Sequence, residues 1–174
     1  VRGAGFGFLG FGSGFVRRGR PFVALADVNL AASPAPIVEV DVTGMSIFQV
    51  IVDRVVHAAA VQRCMQFSIN GGSSWFNANG NYARTSVDGV LTNSSSIGFH
   101  FTGAAAERSG NITVWQPGGG IMPQVYSQAP SELIQFLAST NPINRIRIFG
   151  GSTSSGTPDV GNMTSGQIEV WGQR

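Results

Sequence analysis

The chain has 174 residues, enough for one domain with a proper core plus an arm and too few for two ordinary domains. Apolar residues make up 43% and charged residues only 11%, under half the roughly 25% share usual in soluble domains, so Ser, Thr, Asn, Gln and Gly must carry solubility. The formal net charge of +2 is unevenly placed: four of the 11 Arg lie in the first twenty residues with no acid, while the other seven face nine acids, which speaks against the basic stripe of a nucleic-acid-binding fold.

Residues 1–20 alternate Gly with Phe before an Arg cluster. Each Gly raises the cost of ordering, and Phe rings without a core of their own need another surface, so the segment reads as an arm that lies extended on a partner or, alternatively, as a flexible linker. Phe6, Phe8, Phe11 and Phe15 are its candidate anchors, with Arg17, Arg18 and Arg20 beside them. Gly interrupts every apolar run between Phe6 and Phe15, which argues against a secretory signal, and a start at Val1 fits either a processed chain or part of a longer one.

From Pro21 the pattern is β throughout. Ile37 to Val42 alternates, with Val38, Val40 and Val42 on one face and Glu39 and Asp41 on the other. Ile47 to Val56 is apolar on both faces, as in a strand buried between layers or at a subunit contact. Met65, Phe67 and Ile69 form the inward set of the next strand, opposed by Gln62, Cys64, Gln66 and Ser68. Ile97–Phe101, Ile112–Trp115, Ile143–Phe149 and Gln167–Trp171 repeat the period of two. Turn signals stand at Asn70-Gly71-Gly72, Asp88-Gly89, Ser109-Gly110-Asn111, Pro117 to Gly120, Gly150-Gly151 and Gly161-Asn162. Pro130 to Ala138 fits a helical turn as well as a strand. Eight or so strands between such turns predict an all-β, jelly-roll-like antiparallel sandwich over residues 21–174, behind the extended arm.

Few motifs carry chemistry. Gly5 to Gly10 satisfies G-x-G-x-x-G, with Asp27 downstream, but neither the feeding strand nor the following helix of a dinucleotide site is present. Ser68 to Trp75 is similar to the Asp-box, with Asn for Asp and Ser for Thr; it predicts a hairpin plugged by Trp75, a structural role. Cys64 is the sole cysteine, so no internal disulfide forms, and His57 and His100 stand at no metal-binding spacing. Calcium near Asp88 or Asp159 lacks a loop pattern. No catalytic, cofactor-binding or metal residue is assigned, and no enzyme activity is expected. No apolar stretch reaches the eighteen or so residues of a membrane helix. Trp75, Tyr82, Trp115, Tyr126 and Trp171 are candidate glycan-stacking or interface aromatics.

From about Val38 onward the chain resembles a domain of tail-fibre and head-fibre proteins of phages and phage-like gene transfer agents from α-proteobacteria. Three places carry the likeness: Val42-Thr43-Gly44 before a long apolar strand, Phe67 to Trp75, and the paired ending Ile143–Phe149 with Ser165–Gly172. The resemblance implies a virion structural role on the particle surface or tail, as a symmetric oligomer, a trimer foremost. Its implied partners are other virion proteins (capsid, portal or connector, or tail) through the arm, and a host-surface glycan, without nucleic acid or membrane insertion. The alternative is a carbohydrate-binding sandwich module of a larger protein.

Overall fold

A computed structural model describes residues 21–58, 61–85, 91–98, 108–128, 131–152, 155–159 and 161–174. The arm with its seven candidate anchors, the Asp88-Gly89 turn and His100 lie outside the described residues. Among those described there are twelve strands in two antiparallel sheets, and no helix long and apolar enough to cross a membrane.

The strands run β1 (Val23–Asn29), β2 (Ile37–Asp41), β3 (Ile47–His57), β4 (Gln62–Ser68), β5 (Tyr82–Thr85) and β6 (Leu91–Ser94). After them come β7 (Ile97–Gly98), β8 (Arg108–Trp115), β9 (Gln124–Gln128), β10 (Ser131–Phe136), β11 (Arg145–Gly151) and β12 (Met163–Gln173). The large sheet has the order β1-β12-β3-β8-β9-β10-β5-β6, and the small sheet β2-β11-β4-β7. Setting aside β5, β6, β9 and β10, the remaining eight strands pair first with last, second with seventh, third with sixth and fourth with fifth. That nested pairing is the jelly roll. The two hairpin-like additions extend the large sheet beyond β8 without disturbing the roll.

The core is made by the alternation read from the sequence. Phe48, Val50 and Val52 of β3, with Ile112, Val114, Ile168 and Val170, face Val38, Val40, Met65, Phe67, Ile146 and Ile148 of the small sheet, all buried. Burying each such side chain contributes about 1.5–3 kcal/mol before ordering entropy is set against it. Phe67 is the hub, its ring meeting those of Phe48, Tyr82 and Phe136 edge-on at 6.4, 5.6 and 5.3 Å.

Several turn and strand expectations change. Ser109-Gly110-Asn111 lies within β8 rather than in a turn, because the Ser109 hydroxyl accepts the Arg54 N–H at 3.0 Å across a bulge in β3. Arg54 takes φ 48 there, and the inward set of β3 changes phase from Phe48, Val50 and Val52 to Val55 and His57. Gly150-Gly151 likewise ends β11, paired with Arg63 and Gln62. Gly150 is needed not for turning but for approach: a Cβ would stand 2.2 Å from the buried His57 ring. Of the two readings of Pro130 to Ala138, Ser131–Phe136 is a strand. The two-sided apolar strand β3 buries one face fully, while Ile47 and Ile51 on the other are half-buried. In β4 both faces are buried, Cys64, Gln66 and Ser68 as well as Met65 and Phe67.

Candidate functional site

The outer face of the large sheet gathers three of the five candidate aromatics. Register places Gln49 opposite both Trp171 and Thr113, and Thr113 opposite Tyr126. A second row sets Ile47 opposite Trp115, and Trp115 opposite Gln124. Trp115 and Tyr126 are thus diagonal neighbours on adjacent strands, each across from a hydroxyl or amide side chain. Their rings stay 48% and 52% exposed, and a shallow cleft of about 250 Å³ between them is lined by Thr113, Trp115, Gln124, Val125 and Tyr126. Trp171 is half-buried, its indole N–H donating to Glu169 Oε2 at 2.9 Å.

The other two aromatics lie elsewhere. Tyr82 is fully buried in the core, where its hydroxyl accepts the Phe67 N–H at 2.9 Å and burial holds its phenol well above the usual tyrosine range. It offers no stacking face, because its ring packs inward against Phe67 and Phe136. Trp75 covers the outer side of the small sheet, with the Arg147 guanidinium 4.7 Å from its ring centre. The Asp-box-like segment before it closes as expected in its turn but not in its strands. Asn70 Oδ1 accepts from the Ser68 hydroxyl at 2.8 Å and the Ser74 N–H at 3.0 Å, and Phe76 N–H returns to the Phe67 carbonyl at 3.0 Å. No second strand follows until β5, so the segment is a closed turn and not a two-stranded hairpin.

Beneath Trp75 lies a polar layer that sequence reasoning missed. Arg147 donates from Nε and Nη2 to Gln66 Oε1 at 2.8 and 2.5 Å, and Gln66 Nε2 donates to the carbonyls of Ser95 and Gly156 at 3.0 and 2.8 Å. Burial lowers the Arg147 pKa from its ordinary value, with nearby Glu39 opposing. Its only sequence signal is that Gln66 and Arg147 fall opposite each other once β4 and β11 are paired.

No protein-family model and no curated protein matches this chain.

Among the described residues the candidate nucleophile and base, Cys64 and His57, are both buried. Cys64 is buried on the outer side of β4, and burial pushes its thiol up to about 12, so it is neutral at ordinary pH. His57 is buried at the end of β3 against Gly150 and Gly161. Among the described residues no group of three or more His, Cys, Asp or Glu could hold a metal ion.

A second surface feature lies where residue 21 enters the fold. Pro21, Val23, Leu25, Met45, Gly172 and Arg174 line a mainly apolar cleft of about 380 Å³. Val23 in its wall and Phe22 next to it in the chain are 48% and 44% exposed. The strand that begins at Val23, β1, is an edge of the large sheet among the described residues, where it pairs with β12 alone.

Proposed function

We propose that this chain is a structural subunit of a bacteriophage-like particle, a fibre, spike or decoration subunit. In this reading the arm seats the protein among other virion proteins and the sandwich is displayed at the particle surface or tail. The observation that carries it is the apolar cleft at Pro21, where the Gly/Phe/Arg arm joins, beside a sheet edge with no second partner among the described residues. Exposed apolar edge strands invite pairing with another chain, and natural proteins cover them. An arm whose Phe residues need a foreign surface, attached to an edge that no described strand covers, fits a subunit completed by its neighbours.

The likeness to head-fibre and tail-fibre domains, carried by Val42 to Gly44, Phe67 to Trp75 and the ending Ile143–Phe149 with Ser165–Gly172, supports the same reading. Among the described residues the core runs from Leu30 onward, so deleting residues 1–20 is expected to leave the sandwich folded. In particles that incorporate the full chain, the deletion is expected to release the protein; unchanged incorporation would overturn the anchoring role.

A further inference from the structure

We propose that the outer face of the large sheet is a binding site for a neutral oligosaccharide, centred on Trp115 and Tyr126. The inference goes beyond the particle reading and does not rest on it, since a free module with this face would take the same ligand.

Three features of the face select the ligand chemistry. The first is the pair of half-exposed rings on adjacent strands, which present flat apolar surfaces; a pyranose has a matching C–H face that stacks on an aromatic ring. The second is the placement of Thr113 and Gln124 directly across the ladder from those rings. A hydroxyl and a carboxamide each both donate and accept, as the rim of sugar hydroxyls requires, whereas an ammonium or carboxylate offers only one role. The third is charge: Gln49, Thr113, Trp115, Gln124 and Tyr126 carry none, and Glu169 beside Trp171 at the end of the row is acidic, so among the described residues the face favours an uncharged sugar over a sulfated or sialylated one.

The dimensions agree with a short chain. A cleft of about 250 Å³ holds one or two sugar rings, below the roughly 300–1,000 Å³ of pockets that enclose a drug-sized ligand. The row Trp171, Gln49, Thr113, Tyr126 crosses four adjacent strands. At about 4.8 Å between strands its two end rings stand roughly 14 Å apart, the reach of about three linked pyranoses. Trp171 then serves as an outlying platform, its orientation held by Glu169.

The test is calorimetric titration of the full chain with cellohexaose, maltohexaose, mannohexaose and the hexamer of N-acetylglucosamine, repeated on Trp115→Ala, Tyr126→Ala and Trp75→Ala. The expected result is binding of at least one hexaose, weakened tenfold or more by Trp115→Ala and by Tyr126→Ala and unchanged by Trp75→Ala, which lies on the other sheet. Trp115→Phe, which keeps a stacking face, is expected to restore much of the affinity. Absence of binding to all four sugars at millimolar concentration, or binding indifferent to both Trp115→Ala and Tyr126→Ala, overturns the site. A change of solution mass in Trp115→Ala without sugar binding also overturns it, because the face would then be a contact between copies. Particle incorporation reads separately: a chain that binds no sugar yet depends on its arm for incorporation leaves the structural role standing.

Discussion

Tyr82 and Cys64 show how burial converts reactive or sticky side chains into structure. The Tyr82 hydroxyl supplies the acceptor for the Phe67 N–H inside the aromatic hub, so Tyr82→Phe keeps the ring and strands a buried donor. A loss of about 1–3 kcal/mol in urea unfolding is expected, the cost of an unsatisfied buried group; an unchanged midpoint would show that the donor finds another partner. Cys64 behaves in the opposite sense, as a small hydrophobe. Its folded pKa, raised to about 12 by burial, favours the neutral thiol. That contribution is fully present below the unfolded thiol pKa and is lost only as pH climbs from there toward 12. At pH 8 the native protein should resist a disulfide reagent that modifies the urea-unfolded chain at once, and rapid native labelling would contradict the burial. The place of Tyr82 was not legible from the sequence, where it reads as one more candidate glycan or interface aromatic: it depends on β5 being covered by elements far away in the chain.

Strands were legible where alternation was long. β2, β11 and β12 follow their expected faces, because five or more residues of period two leave no other way to bury Val, Ile and Phe. β1, β5, β6 and β9 gave weak signals, being short or built of Ala, Ser, Thr and Asn, so their place is set by the strand they dock on and not by their own pattern. Glycine was the main source of misreading, since it marks turns and close approaches alike. Gly166 is the sharpest case: at φ +91 in β12, a Cβ would stand 2.5 Å from the carbonyl oxygens of Asp53 and Arg54 at the β3 bulge. Gly166→Ala is therefore expected to destabilise by about 2 kcal/mol or more, through backbone strain plus displacement of the bulge. Thermal unfolding measures it, and a loss under about 0.5 kcal/mol, the size of an ordinary surface change, would mean that the bulge is not fixed by this contact. The edge strand β1 divides in two by the same logic. Asp27 guards its C-terminal half, holding Gln167 at 2.7 Å, while Val23 at its start and Phe22 just before it are apolar and exposed among the described residues.

On the scale of the whole molecule, the sandwich class follows from composition and alternation, but the roll does not. Pairing β1 with β12 and β2 with β11 joins the two ends of the chain, and no local signal encodes a contact across that separation. The finished fold separates two surfaces. One is the aromatic and amide face around Trp115 and Tyr126 on the large sheet, proposed for a sugar; the other is the apolar cleft and edge at Pro21, proposed for a neighbouring chain. The candidate aromatics were legible as residue types, yet their division into a face of three, a cap on Arg147 and a core ring needed the register. The central claim is that the Pro21 end is an assembly surface, so that the chain does not stand alone. Light scattering on the purified full chain tests it most directly: the account predicts an oligomer, with three times the 18.3 kDa chain mass foremost, and a mass of 18.3 kDa at every concentration tried would contradict it.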